Sequence, residues 1–117
     1  MSQADCIFCK IIRGEIPAKK LYEDDDIFAF HDIRPVAPVH FLIIPKAHIA
    51  NLYEADDSHR QALGSMLAKA GELARLAGAE EGFRSIINTG RVGLQEVYHL
   101  HMHIIGGPDP LPPMLKR

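Results

Sequence analysis

The chain has 117 residues, 47% hydrophobic and 24% charged, enough for one domain that buries roughly 65% of its unfolded surface and needs no disulfide staple. Thirteen Lys and Arg against fifteen Asp and Glu leave a formal charge of −2, which excludes the basic footprint of a protein that grips long nucleic acid by its phosphates. The polar start, Met1-Ser-Gln-Ala-Asp5, lacks a signal-peptide core, and the longest apolar run, around Phe41 to Ile44, is far short of the ~18 residues of a membrane span. A soluble cytoplasmic protein with no membrane partner is expected.

In chain order, Cys6 to Arg13 places Ile7, Phe8, Ile11 and Ile12 at helical spacing and stops at Gly14, a short amphipathic helix. Leu21-Tyr22-Glu23 and Ile27 to His31, separated by Asp24-Asp25-Asp26, predict a hairpin. Arg34 to Pro38 is a proline loop, and Val39 to Ile44 is a continuous β-rich run ending at Pro45, as in a buried central strand. Ser58 to Gln61 has the form of a capping box, followed by an apolar stripe of Leu63, Met66, Leu67, Ala70, Leu73, Ala74 and Ala77 and a closing Gly78. Phe83 to Asn88 predicts a strand, Thr89 to Leu94 a loop, and Val97 to Ile105 the last strand. Strands interrupted by one long helix, with short links, point to an α+β fold on a mostly antiparallel sheet of about five strands, with one long and one short helix. No repeat or linker divides it: one domain over residues 5–107 and a Pro-rich tail over 108–117 are expected.

Histidine is the compositional anomaly: 7 in the chain, three of them within five residues, in His99-Leu-His101-Met-His103. On a strand, alternation places His99, His101 and His103 on one face, roughly 6 to 7 Å apart in succession, and Leu100, Met102 and Ile104 in the core. An exposed histidine-rich face would be an accident of three aligned imidazoles. A metal site and a nucleophilic imidazole, the latter needing an acceptor on its second nitrogen, both remain open from the residues alone. Cys6-Ile-Phe-Cys9 has metal-knuckle spacing, but two cysteines cannot build a four-cysteine site, and the flanks do not suit a thioredoxin-like motif.

His99-Leu-His101-Met-His103-Ile-Ile, with Phe30-His-Asp32-Ile-Arg-Pro, Val39-His40-Phe-Leu-Ile-Ile-Pro-Lys, Asn88 and Gly93-Leu-Gln95 upstream, resembles the histidine triad (HIT) family over about Cys6 to Gly107. It is most similar to the branch of purine nucleoside phosphoramidases. The resemblance implies a HIT-like fold and hydrolysis of purine nucleoside 5′-phosphoramidates, including adenylated amines, through a nucleotidyl-histidine. Alternatives are a dinucleoside polyphosphate hydrolase of the same superfamily and a nucleotide-binding regulatory module with incidental catalysis.

Carried over by position, His101 is the nucleophile, the carbonyl of His99 accepts from its Nδ1, His103 contacts the phosphate and leaving group, and His40 supports the site. Asp32 takes the ribose hydroxyls, Asn88 and Gln95 lie near the phosphate and leaving group, and Ile7, Phe8 and Phe30 wall the base. The resemblance also implies a purine nucleotide substrate, a homodimer through the long helix and the strand before the triad, and no cofactor for the chemistry. Some relatives hold structural zinc, and Cys6, Cys9, His48 and His99 fill the corresponding positions. Two departures stand out. Leu94 replaces a second glycine, although leucine resists positive φ, and Glu96 replaces a serine, which places a carboxylate near phosphate.

Overall fold

The computed structural model describes residues 5–115; the last two residues of the expected tail, 116–117, lie outside them. The elements are α1 (Ile7–Ile12), β1 (Lys20–Glu23), β2 (Ile27–His31), β3 (Val39–Pro45), α2 (Arg60–Ala77), β4 (Phe83–Ile87) and β5 (Met102–Gly106), with a 3-10 turn at Asp57–His59 before α2. All neighbouring strands pair antiparallel in the order β1-β2-β3-β5-β4. This is the α+β architecture expected, one long helix and one short one on a five-stranded sheet.

Local chemistry explains the hairpin. Asp24 Oδ1 accepts from the backbone N–H of Asp26 at 2.8 Å and of Ile27 at 3.0 Å, so one side chain closes the turn between β1 and β2. The central position of β3 explains its unbroken apolar run: every one of its residues is buried, because both faces of the sheet are covered. On one face Phe41 and Ile43 join Ile27, Ala29, Met102 and Ile104 against Met66, Ala70, Leu73 and Ala74 of α2. On the other, Leu42 and Ile44 join Phe28 and Phe30 against Phe8, Cys9 and Ile11 of α1. Fully burying each of the larger of these side chains, such as Phe41, Ile43 or Met66, contributes roughly 1.5–3 kcal/mol.

Three expectations are corrected. The α2 stripe holds except at Leu67, which is 65% exposed, because it sits on the rim of the buried arc. The cap lies two residues earlier than the Ser58 box: Asp56 accepts from Ser58 N at 2.9 Å, while His59 Nδ1 accepts from Asp56 N at 3.1 Å. Gly78 does close the helix, at φ 110°.

The triad strand is shorter than expected. Pairing begins at Met102, not Val97. Beyond Ile43–Met102 the chains part: Leu100 N–H donates to Ile49 O at 2.7 Å, and the Pro45 carbonyl is taken by the His99 side chain at 2.8 Å. The alternation nevertheless persists, with Leu100, Met102 and Ile104 in the α2 core. Among the described residues no helix is long and apolar enough to cross a membrane.

Candidate functional site

The face of the sheet covered by α1 gathers the histidines. His101 and His103 lie side by side with ring centroids 5.1 Å apart, and His40, from the adjacent β3, stands 5.2 Å from His103. Phe8 presents its edge to His101 at 5.2 Å and to His99 at 5.9 Å, and it packs edge-on against Phe30 at 5.5 Å. A helix only six residues long thus supplies an aromatic wall, and its burial follows from the Phe8/Ile11 spacing.

Two backbone carbonyls fix the orientation of two imidazoles. His101 Nδ1 lies 2.8 Å from His99 O. A carbonyl can only accept, so Nδ1 carries the hydrogen and Nε2 keeps its lone pair. Burial holds the His101 pKa below the ordinary histidine value, the His99 carbonyl partly opposing that shift. The ring is therefore neutral near pH 7, the state a nucleophile needs. His103 is also held low, chiefly by burial and next by the neighbouring His101 and His40.

His99 is wired in the opposite sense. Its Nε2 donates to Pro45 O at 2.8 Å, which leaves the lone pair on Nδ1. That atom faces Cys6 Sγ at 3.3 Å and Cys9 Sγ at 3.6 Å, and Cys9 Sγ faces His48 Nδ1 at 3.5 Å. The four residues converge with their ligand atoms within 4.8 Å of one another. Tetrahedral zinc with ordinary Zn–S and Zn–N bonds separates sulfur from nitrogen by about 3.6 Å, so the donor set fits that ion. A carbonyl accepting the other ring N–H is the usual outer support of a metal-bound imidazole. Burial, reinforced by Cys6, pushes the Cys9 thiol up to about 11 and burial pushes His99 down to about 4; a cation at the centre would favour the thiolates.

Asp32 lies at the end of β2. Its Oδ1 accepts from Arg34 N at 2.7 Å and its Oδ2 is 3.4 Å from His40 Nε2. Asp32, His40 and His103 also bring ligand-type atoms within 4.8 Å. Ile7 is 44% exposed, unlike Phe8 and Phe30, which are buried. Asn88 follows β4 and is half-buried.

Gln95 turns its side-chain amide into the protein. Its Oε1 accepts from Gly90 N at 2.9 Å and Asn51 Nδ2 at 3.2 Å, and its Nε2 donates to Ala50 O at 2.8 Å and Val97 O at 3.0 Å. The amide is saturated by protein, so Gln95 ties the loop after β4 to the segment after β3 rather than reaching outward. Asn51, buried in the same knot, carried no sequence signal beyond being an Asn in a loop.

Leu94 takes φ 62° despite its side chain. The loop keeps the left-handed turn a glycine would adopt, with Leu94 78% exposed and about 1–2 kcal/mol of strain. Gly93 is required: a Cβ there would lie 2.6 Å from Thr89 O. Leu94 N and Gln95 N are engaged with Arg91 O and Gly90 O, so neither is a free donor for phosphate. Glu96 is exposed at the end of this loop.

The family model for the HIT domain matches residues 13–109. The chain belongs to the HIT domain family. It is 52% identical to a purine nucleoside phosphoramidase of Escherichia coli (strain K12) over 112 residues, 95% of this chain and 93% of that one. A HIT family hydrolase from Legionella pneumophila has 48% identity and a TM-score of 0.85, over 90% of this chain and 95% of that chain. A Zn-bound histidine triad family protein from Mycobacterium smegmatis has 30% identity and a TM-score of 0.79, over 92% of this chain and 78% of that one. The protein is thus a HIT family hydrolase.

Proposed function

We propose that this HIT hydrolase cleaves purine nucleoside 5′-phosphoramidates, adenylated amines among them, through a covalent nucleotidyl-His101 intermediate. The observation that carries the reading is the 2.8 Å contact of His101 Nδ1 with His99 O, which commits the lone pair to Nε2 in a neutral, buried ring. The 52% identity to a purine nucleoside phosphoramidase supports the substrate class.

In the first step His101 Nε2 attacks the α-phosphorus. The P–N bond breaks, its electron pair leaves on the amine nitrogen, and that nitrogen takes up a proton. In the second, water attacks the same phosphorus and releases a proton that balances the one taken up by the amine, the bond to Nε2 breaks, its pair returns to the ring, and a nucleoside monophosphate departs. His103, beside His101, contacts the phosphoryl oxygens and leaving group, where N–H donors stabilise developing charge. Asp32 Oδ1 is occupied by Arg34 N, and Oδ2, which His40 Nε2 approaches only to 3.4 Å, retains acceptor capacity for ribose hydroxyls. Phe8 and Phe30 back the base, with Asn88 near the phosphate.

Cys6, Cys9, His48 and His99 hold a structural zinc ion in this reading, supported by the fit of the donor distances to a tetrahedron and by the Zn-bound relative. When bound, zinc supplies thiolate stabilisation and a fixed anchor for α1 against the triad segment. The two reduced cysteines suit a cytoplasmic location. A second copy of the chain is expected to cover the exposed Leu67 of α2 and the edge strand β4 with its half-exposed Phe83.

The test is turnover of an adenosine 5′-phosphoramidate by the parent and by His101→Ala, with a diadenosine polyphosphate alongside. Cleavage of the phosphoramidate that disappears in the variant is expected. Equal rates in parent and variant, or cleavage of the polyphosphate alone, would contradict the reading.

A further inference from the structure

We propose that the backbone N–H of Val36 sets, through His40, the tautomer of His103, so that His103 presents Nε2–H beside the lone pair of His101 Nε2. Val36 is a positioning residue by its main chain, in a loop whose side chains carry no sign of it; its own side chain is 74% exposed.

Obligatory hydrogen-bond roles fix the protons. A backbone N–H can only donate, and Val36 N lies 3.1 Å from His40 Nδ1. His40 Nδ1 must therefore be the acceptor nitrogen, and a neutral His40 carries its hydrogen on Nε2. That hydrogen faces His103 Nδ1 at 3.0 Å and Asp32 Oδ2 at 3.4 Å. The carboxylate oxygen can only accept, so it favours the same His40 tautomer as the Val36 N–H. His103 Nδ1, accepting from His40, cannot hold a hydrogen, and the proton of His103 goes to Nε2.

The opposite tautomer of His103 would set two N–H groups against each other across 3.0 Å and turn a lone pair toward the phosphoryl group. Next door, the His99 carbonyl gives His101 the reverse tautomer. Two rings 5.1 Å apart thus offer opposite faces of the same chemistry: a lone pair to phosphorus from His101 and an N–H to phosphoryl oxygen or departing nitrogen from His103.

The same logic decides against a metal at Asp32, His40 and His103, although their ligand atoms converge. To bind a cation, His40 Nε2 would have to shed its hydrogen, and a neutral ring would then carry it on Nδ1, against the Val36 N–H. The tautomer pattern stands on geometry alone; its use in turnover rests on the phosphoramidase reading above.

The experiment is 15N NMR of the histidine-labelled protein at neutral pH, with ring signals assigned. Nε2–H on His40 and His103 with Nδ1–H on His101 is expected; Nδ1–H on His40 or His103 in the parent would overturn the proposal. Val36→Pro deletes the donor, and Val36→Ala keeps it. Val36→Pro should mix the tautomers of His40 and His103 and lower kcat on adenosine phosphoramidate roughly tenfold with KM changed less than about twofold, a fraction of what losing a whole donor costs. Val36→Ala should keep the parent spectrum. A Val36→Pro protein with the parent spectrum and kcat would overturn the relay. A parent that does not turn over the phosphoramidate defeats the reaction assignment, while its spectrum still decides the tautomers.

Discussion

Two clusters on one face of the sheet bring histidines together with metal-type partners, and backbone wiring separates what they can do. In the first, Pro45 O takes the Nε2 hydrogen of His99 and leaves a lone pair among Cys6, Cys9 and His48. In the second, Val36 N–H occupies the lone pair of His40 Nδ1 and leaves a hydrogen pointed at His103 and Asp32. One carbonyl and one N–H, neither belonging to a conspicuous residue, suit similar side chains to the proposed ligand set and the proposed hydrogen-bond relay. His101 stands between them: its orienting carbonyl belongs to His99, a member of the first cluster, and its neighbour His103 belongs to the second.

The largest effect should follow loss of His101, where the two clusters meet. His101→Ala should lower kcat by at least about a thousandfold, as removal of a covalent nucleophile does elsewhere, with the fold intact by circular dichroism. Metal content then separates the clusters. Protein purified without a histidine tag should carry close to one zinc per chain by elemental analysis; Cys9→Ser should fall below about half an equivalent because one thiolate is gone. His40→Asn should keep the zinc. Loss of metal in His40→Asn with retention in Cys9→Ser would reverse the assignment.

Acidification should act through His101. Only the neutral ring attacks, and burial holds its pKa below the ordinary 6.5. The kcat/KM profile should thus be flat above neutrality and fall toward acid, with a midpoint below that value. A midpoint above 6.5, or a profile rising toward acid, would break the assignment of a neutral nucleophile. The smallest effect belongs to Leu94: Leu94→Gly should raise stability by up to about 1 kcal/mol in denaturant unfolding, since glycine accepts φ 62° without strain.

Much of this fold was legible because alternation and period are local. The all-buried β3, the stripe of α2 and the shared face of His99, His101 and His103 follow from side-chain spacing, even though ladder pairing begins only at Met102. Asp56 was missed as the cap because Ser58 with Gln61 makes the same pattern two residues on. The setting of Gln95 is hidden for a different reason: two of its four hydrogen bonds reach Ala50 and Asn51, more than forty residues away, and no periodicity reports them. The residue types of both clusters were readable. Their wiring was not, because Pro45 O and Val36 N–H act through main-chain atoms that every sequence supplies.

The claim that His101 forms a bond to phosphorus is tested most directly by stereochemistry. An adenosine phosphoramidate chiral at phosphorus, hydrolysed in isotopically labelled water, undergoes two in-line displacements if nucleotidyl-His101 forms, and the account predicts net retention of configuration. Net inversion would mean that water attacks directly, and would contradict it.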